Sequence, residues 1–323
     1  MKTHIDKFFA AIVAFMGWQV YQYWLDRRGY LDLLNVATSQ EVRPFVYRVL
    51  VPLLSRMLSW LIHSSATDAM VIVLICFSIV MYYSIKQLYE SFVRDGRGPV
   101  VSFVGCLAMF VIMIQESKVY DIPTAAFFAL CLAYLARGKF LYFYIAFPFA
   151  TLNRETTFLL TAFYALYYFN GPISRRHWFF GCLYQVLVYV VIRLGTMAYF
   201  AEWPGAAFII SLKTSLYIYG MHYLLTSAYL ICLAGILYLT LRRWDQKPGL
   251  LRTAFLIIFP IQVALHFLLG WAYELRVYAE SIPILAVLIM IPTVPNRKVN
   301  SNKFPPDTSS LCAVDLEDKP EHH

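Results

Sequence analysis

The stretch Phe149–Phe163, FATLNRETTFLLTAF, places Arg154 and Glu155 side by side in the middle of thirty residues, 140–169, that contain no other charge. A single helix over those residues measures about 45 Å at ~1.5 Å per residue, whereas a bilayer core is about 30 Å thick. The flanking segments, RGK before and SRRH after, are both basic, so the same side of a membrane is expected for both. The sequence therefore predicts a hairpin of two short helices that turns at Arg154 and Glu155.

Composition predicts an integral membrane protein. Apolar residues make up 60% of the chain and charged residues 14%, against about 45–50% and 25% in soluble domains. Apolar blocks of roughly spanning length recur, with tyrosines and tryptophans near their ends, which is typical of a polytopic helix bundle. The first block, FFAAIVAFMGWQVYQYW, follows Lys2 and Lys7 and lacks a small-residue cleavage site, so a retained span is predicted. The predicted fold class is all-α.

Basic residues in short loops give the predicted topology. Ten spans are expected, at residues 8–25, 68–86, 99–115, 121–137, 140–152, 156–170, 178–200, 221–241, 253–271 and 281–295. The positive-inside rule then places the basic loops and both chain ends in the cytoplasm. These loops account for the net charge of +8, so no nucleic-acid partner is predicted.

Two regions follow from this pattern. Residues 1–295 are predicted to form one polytopic transmembrane domain, and residues 296–323 a cytoplasmic tail. The tail is polar, contains proline and has no apolar face, so it is predicted to be disordered. Five of the six cysteines lie inside apolar blocks and are interpreted as buried small hydrophobic residues.

The segment 26–67 is predicted to lie at the outer face without crossing the membrane. Its apolar part, residues 45–63, carries Arg48 and Arg56 eight positions apart. That spacing places both arginines on nearly one face of a helix. An amphipathic helix of this kind is expected to lie in the membrane interface or to re-enter the membrane.

Carboxylates and arginines gather at the predicted outer face, in segment 26–67 and in the loops QESKVYD, NRET and YELRVYAE. Ionisable groups near membrane depth cost about 2.5–3.5 kcal/mol each on insertion scales. A cluster confined to one face therefore favours a functional role. Ordinary charge pairing is the alternative for each residue taken singly.

Four segments, RPFVYRVLVPLL, YDIPTAAFF, LNRETTFLL and YELRVYAESIPIL, are similar to recurring segments of uncharacterised bacterial members of the GT-C superfamily. The order of an amino-terminal span, an outer loop with acids and an amphipathic segment, and many irregular spans also resembles that superfamily over most of residues 1–295. The resemblance implies an integral-membrane glycosyltransferase that takes a sugar from a polyprenyl-phosphate donor. One feature differs, because the close acid pair of many members is replaced here by the separated Asp26 and Asp32.

The resemblance implies a carboxylate that takes the proton from an acceptor hydroxyl. Asp32 is the predicted general base, because it stands a few residues beyond the first span and has room to turn back over a cavity. Asp26 is the second choice, since it adjoins Arg27 and Arg28. Asp121 is the predicted second acid of the site, with a helix N-cap as the equally weighted alternative.

The departing phosphate of such a reaction gains charge, and arginine is the side chain that binds two phosphate oxygens at once. The predicted phosphate-binding residues are Arg43, Arg48, Arg154 and Arg276. Glu155 and Glu280 are expected to orient these arginines or to bind sugar hydroxyls, with simple charge pairing as the alternative. In its most specific form, this prediction brings Arg48 and Arg154 together around an anionic group.

Several catalytic motifs do not occur in the sequence: a Gly-rich phosphate loop, His-x-x-Glu-His, Cys-x-x-Cys and Gly-x-Ser-x-Gly. Nucleotide-driven transport, zinc hydrolysis and serine-hydrolase chemistry are therefore disfavoured. No cofactor is predicted from the residues, and a divalent metal stays open. The predicted partners are a polyprenyl-phosphate-linked sugar and membrane lipids, with the donor sugar, the acceptor and the oligomeric state undetermined.

Two other functions remain compatible with the sequence. A secondary transporter or lipid flippase fits the short hairpin spans. It also fits His266 within the apolar segment VALHFLLGW, where the imidazole is either a proton relay or, as we favour, bonded to a neighbouring helix. Against transport, no repeat relates the two halves of the chain. A membrane scaffold without catalytic activity is the third alternative.

Overall fold

The computed structural model describes residues 2–28, 45–115, 120–169, 171, 173–204, 217–219, 221–269 and 274–291. Within these ranges 85% of the residues are helical and none lies in a β-strand. The predicted all-α class is therefore confirmed for the described part of the chain. The predictions for Asp32, for Arg43 and for the tail 296–323 lie outside the described residues.

The described ranges contain helices separated by short connections. The α-helices are α1 Lys2–Arg28, α2 Leu50–Ile62, α3 Ala66–Glu90, α4 Gly98–Gln115, α5 Asp121–Ala136, α6 Phe140–Asn153, α7 Phe158–Tyr168, α8 Arg175–Tyr199, α9 Tyr223–Leu241, α10 Gly249–Leu269 and α11 Ile282–Met290. Short 3-10 helices cover Phe45–Tyr47, Glu155–Thr157, Trp244–Gln246 and Leu275–Tyr278. Serine begins two of the long helices in the expected way, since Ser65 caps α3 and Ser174 caps α8 through their side-chain oxygens.

Among the described residues, three helices are long and apolar enough to cross a membrane: α3, α8 and residues 249–268 of α10. Shorter apolar helices accompany them, among them α2, α5 and α6. This arrangement is consistent with a membrane protein. The ten predicted crossings are not confirmed by helix length and composition, because most of the helices are shorter than a complete span.

The segment 140–169 forms the predicted pair of short helices. The backbone at Arg154 is extended, with φ −155° and ψ 142°, and this conformation ends α6. The 3-10 turn Glu155–Thr157 then leads into α7. The hydroxyls of Tyr144 in α6 and Tyr164 in α7 lie 3.0 Å apart, which shows that the two helices run antiparallel.

One end of the bundle, here called the basic end, is defined by Lys86, Arg137 and Lys247. Lys86 forms an ion pair with Asp6 near the start of α1. Arg137, just beyond α5, donates from Nη2 to the carbonyl of Gln87 in α3 at 2.9 Å. These contacts bring the start of α1 and the ends of α3 and α5 to the same end.

Lys247 joins two further helices at the basic end. Its buried ammonium donates to the carbonyl of Thr240 in α9 at 2.5 Å and to that of Leu288 in α11 at 2.8 Å. The last carbonyls of a helix lack intrahelical partners and carry partial negative charge. The lysine therefore caps the carboxyl ends of α9 and α11 together.

The helices differ strongly in burial. Most residues of α5 are buried, whereas within α8 only Gly181 and Gln185 are. Apolar side chains of α8 such as Phe180 and Val191 are 63% and 67% exposed. Helix α5 thus lies at the centre of the packed core and α8 at its periphery, where an apolar outer surface suits contact with lipid.

Helix α2 corrects one prediction. The amphipathic segment does form a helix, but it begins at Leu50, so Arg48 precedes it. Arg48 is buried, whereas Arg56 is exposed on α2. The expectation that both arginines share one helical face is therefore wrong, because helical spacing applies only to residues of the same helix.

Candidate functional site

Side chains from four segments meet at the end of the bundle opposite the basic end. We call this the charged end and define it by Arg48, Asp121, Arg154, Glu155 and Glu280. These residues lie just before α2, at the start of α5, in the turn between α6 and α7, and just before α11. Helix starts and turns leave backbone groups and short polar segments unpaired, so such positions suit a polar site on an apolar bundle.

The centre of the charged end is an ionic triad of one arginine and two carboxylates. Arg154 Nη1 lies 3.0 Å from Asp121 Oδ1, and Arg154 Nε lies 3.5 Å from Glu280 Oε1. The arginine side chain is 7% exposed and both carboxylates are fully buried. Breaking a buried pair by removing one partner leaves an uncompensated charge, which is strongly destabilising.

Asp121 is the first residue of α5, and the N-cap position belongs to Tyr120. The alternative N-cap role for Asp121 is therefore wrong by one position. A carboxylate in the first turn still interacts favourably with the helix dipole. Because its oxygen is bound to Arg154, Asp121 is held in place at the site rather than directed into solvent.

Glu280 is fixed by hydrogen bonds as well as by charge. The Thr156 hydroxyl and the Gln262 side-chain amide both donate to its carboxylate. The same amide also donates to the carbonyl of Val277 at 2.8 Å. Burial raises the pKa of Glu280 even though Arg154 lowers it, so this carboxyl retains a proton more readily than an ordinary glutamate.

Arg48 and Glu155 form a second ion pair beside the triad. Arg48 donates from Nη2 to Oε1 at 2.6 Å and from Nε to Oε2 at 3.3 Å, so the contact is bidentate. The arginine side chain is 7% exposed and the glutamate 34%. The guanidinium also lies 5.3 Å from the ring centres of Phe45 and Tyr120, within the range of a cation–π contact.

The electrostatics of Glu155 fit an orienting role. Burial raises its pKa, but the charge and hydrogen bonds of Arg48, followed by the charges of Arg154 and Arg193, lower the pKa well below the ordinary value. A carboxyl held in the ionised form is a weak proton acceptor. Glu155 is therefore better suited to its predicted role of orienting an arginine than to the role of a general base.

Arg48 and Arg154 thus lie at the same end of the bundle, and their approach around an anionic group stays a prediction. Their anionic partners in the structure are carboxylates of the protein itself, on Asp121, Glu155 and Glu280. Whether they also bind an anionic ligand depends on the donors that remain unused.

Several buried polar atoms near this end have no hydrogen-bond partner within the described ranges. The arginine donors are Arg48 Nη1, Arg193 Nη1 and Arg276 Nη1, whereas Arg154 Nε, also without a hydrogen bond within these ranges, faces Glu280 across the ion pair. Two further groups are Tyr120 Oη and Asn153 Oδ1. Buried polar groups are normally paired. Unused donors on positively charged groups, together with one unused amide acceptor, are the features expected of a site for an anionic ligand that also carries hydroxyls.

Arg276 and His266 have local partners. Arg276 pairs with Glu274, and both side chains are nearly buried, so this pair is not simply solvated. His266 Nε2 lies 2.7 Å from the Tyr219 hydroxyl in the segment before α9, and its ring stacks on Tyr278. The favoured interpretation of His266, a hydrogen bond to a neighbouring helical segment, is confirmed.

The predicted acids are only partly placed by the structure. Asp121 lies in the triad. Asp26 belongs to the last turn of α1, where only the backbone is described, and Asp32 lies outside the described residues. Within the ranges that the structure covers, no group of three or more histidine, cysteine or acidic side chains is placed to hold a metal ion.

Sequence reasoning missed four contributors to this end: Asn153, Thr156, Arg193 and Gln262. Arg193 carried a readable signal, because it is the single charge between Arg176 and Glu202. Asn153 and Thr156 flank the charged turn itself. Gln262 interrupts the apolar face of α10, but its partners lie in a different part of the chain, so only tertiary structure identifies them.

No protein-family profile matches the chain, and comparisons with characterised proteins and with solved structures give no significant match.

Proposed function

We propose that this protein is a membrane glycosyltransferase of the GT-C type, which moves a sugar from a polyprenyl-phosphate donor to an acceptor hydroxyl at its charged end. The observation that carries the proposal is the group of buried arginine N–H donors and carboxylates gathered at one end of an apolar helix bundle. Transfer from a lipid phosphate needs both kinds of group at one membrane face.

The reaction assigns a role to each kind of group. A carboxylate takes the proton from the acceptor hydroxyl, the acceptor oxygen bonds to the anomeric carbon, and the bond from that carbon to the phosphate oxygen breaks with its electron pair on the phosphate. Arginine donors stabilise the charge that develops there. Asp32 remains the first candidate for the base, since Asp121 is already bound by Arg154.

The proposed setting is a polytopic protein of ten spans in a bacterial inner membrane. Both termini and the basic end would then lie in the cytoplasm and the charged end outside. Basic residues at one end of the bundle, including Lys86, Arg137 and Lys247, support this orientation through the positive-inside rule. Helices shorter than a full span leave room for a lipid tail to reach the charged end from the side.

The test is sugar transfer by the purified protein, supplied with radiolabelled polyprenyl-phosphate sugars of several kinds. We expect Asp32→Asn to lower turnover about 10²–10⁴-fold, the usual contribution of a general base. Asp68→Asn is the matched control, because Asp68 is an exposed acid in the first turn of α3. Normal turnover by Asp32→Asn rejects this residue as the base, and the same assay of Asp26→Asn and Asp121→Asn ranks the other two acids.

A transporter or lipid flippase is the second candidate. The observation in its favour is the α6–α7 hairpin, whose charged turn interrupts two short apolar helices, a feature that transporters use at substrate sites. Lipid scrambling or solute uptake in proteoliposomes, combined with no sugar transfer from any donor, would favour this function. A protein that shows neither activity would be a scaffold.

A further inference from the structure

Arg193 is the single charge of α8 beyond Arg175 and Arg176 at the start of the helix, and the proposed reaction has not used it. It lies two turns from the end of the helix at Tyr199, and its guanidinium carbon is 5.6 Å from the ring centre of Tyr47. Tyr47 packs with Val46 and Phe200 in a small apolar cluster next to Arg48. Arg193 therefore reaches the charged end from the periphery of the bundle, beside the Arg48–Glu155 pair rather than the triad.

Arg48 and Arg193 both act on the charge of one neighbour, Glu155, and each has a hydrogen-bond donor without a partner in the described part of the chain. The charge of each acts on Glu155, which is bound directly only by Arg48. Arg48 Nη1 and Arg193 Nη1 are buried and have no hydrogen-bond partner among the described residues. Two guanidinium groups share one carboxylate here, so positive charge is in local excess on this side of the charged end, although Arg48, Arg154 and Arg193 together face three carboxylates.

The triad differs from this arrangement in its charge balance and in its exposure. In the triad one arginine faces two carboxylates that are fully buried, so negative charge is in excess there. Glu155, in contrast, is 34% exposed. The side of the charged end that bears Arg48 and Arg193 is therefore the one that an anion can approach and neutralise.

We infer that Arg48 and Arg193 form a binding site for the singly charged phosphodiester group of a lipid, with Glu155 orienting Arg48 and the Asp121–Arg154–Glu280 triad serving to hold the helices. The inference rests on the proposed function for the identity of the lipid and assigns phosphate binding within it. Phosphodiester oxygens accept from the two free N–H groups, and their single charge cancels the excess. Tyr47 and Phe45 provide ring surface beside the guanidinium groups.

The first experiment measures binding alone. The full-length protein in phosphatidylcholine nanodiscs is titrated calorimetrically with farnesyl phosphoglucose, with inorganic phosphate and farnesol as separate arms. We expect Arg193→Gln to weaken binding of the phosphodiester about tenfold or more, because a charge-assisted contact is lost. The matched control is Arg56→Gln, an exposed arginine of α2, for which unchanged binding is expected.

A second variant separates a binding site from a merely structural ion pair. Glu155→Gln keeps a side-chain oxygen that can accept from Arg48 and so orient it, but it removes the negative charge beside the two guanidinium groups. We expect it to tighten binding of the phosphodiester several-fold, while a salt bridge with only a structural role predicts unchanged or weaker binding. The unfolding temperature of each variant shows whether a loss of binding reflects a loss of fold.

Each outcome of these experiments supports or rejects a specific claim. Wild-type affinity in Arg193→Gln, or equal affinity for farnesol and farnesyl phosphoglucose, overturns the inference. Competition by inorganic phosphate at similar concentration supports the anion site and assigns it to free phosphate. Binding without sugar transfer from any donor rejects the transferase and keeps the site, whereas undiminished transfer by Arg193→Gln keeps the transferase and rejects the site.

Discussion

At the scale of single residues, Arg154 and Glu155 show how neighbours in sequence serve different partners. Adjacent positions of a helix do not face each other, and the extended backbone at Arg154 separates the two side chains further. Arg154 turns to Asp121 and Glu280, while Glu155 turns to Arg48. The turn is therefore a junction between the closed triad and the more accessible pair.

The triad predicts a large effect for Arg154→Met, which leaves two carboxylates buried without their cation. We expect a loss of about 3–5 kcal/mol of unfolding free energy, the range for removing one partner of a buried pair. Denaturant unfolding of the purified protein in detergent measures it. Arg97→Met is the control, because Arg97 is 62% exposed in its pair with Asp95, and such pairs contribute about 0–1 kcal/mol.

Two further substitutions test whether buried unpaired charge causes the loss of stability in Arg154→Met. Adding Asp121→Asn and Glu280→Gln to Arg154→Met removes the orphaned charges and should restore part of the stability. A stability of Arg154→Met within about 1 kcal/mol of the unmodified protein, on the order of an exposed pair, would show that the triad does not hold the helices together.

At the scale of elements, the hairpin α6–α7 is fastened to α8 by a close approach. Gly181 of α8 faces the hydroxyls of Tyr144 and Tyr164, and a Cβ built at this position comes under 3.0 Å from both oxygens. Those hydroxyls are hydrogen-bonded to each other, and the Tyr144 hydroxyl also contacts His177 at 3.3 Å. Neither ring moves aside without breaking this network, so only glycine allows α8 to pack here.

Two glycines of one helix provide a matched test. Gly195 of α8 has open space around it, since no neighbouring atom lies within 4 Å of the place that a Cβ would occupy. Gly195→Ala should stabilise the helix by roughly 0.5–1 kcal/mol through lower backbone entropy. Gly181→Ala should instead destabilise by about 1–3 kcal/mol, the usual cost of overpacking. Unfolding measurements on both variants decide the point, and equal effects would contradict the close packing of α8 on the hairpin.

At the scale of the whole molecule, the two ends of the bundle differ in chemistry. The basic end uses Lys86, Arg137 and Lys247 to bind helix termini and one aspartate, whereas the charged end combines arginines with carboxylates. In a membrane this asymmetry corresponds to an orientation. The proposed function requires the charged end to be outside the cytoplasm.

The orientation is tested with single cysteines in a variant whose native cysteines are replaced by alanine. We expect Asn35→Cys to react with an impermeant maleimide added to intact cells, because segment 26–67 is predicted to lie outside. Ser310→Cys should react only after the cells are permeabilised. Equal labelling of the two positions in intact cells would reject the proposed topology, and the labelling of both after permeabilisation controls for accessibility.

The sequence by itself determined the helical class, the apolar character of the chain and the break at Arg154. These features depend on composition, local periodicity and helix length, which are local properties. Inference from local sequence failed where a helix began at an unexpected residue. Helix α2 begins at Leu50, so Arg48 lies before the helix and Arg56 lies within it. The same inference also passed over Arg193, although that residue is as isolated in its apolar segment as Arg154 is.

Only the tertiary structure decided which charges are partners. Asp121 and Arg154 are 33 positions apart, and Arg48 and Glu155 are 107. Such pairs form because helices of different lengths end at a common level of the bundle, and that level is set by how their apolar faces pack. Packing of this kind depends on all the helices at once, so no single stretch of sequence contains it.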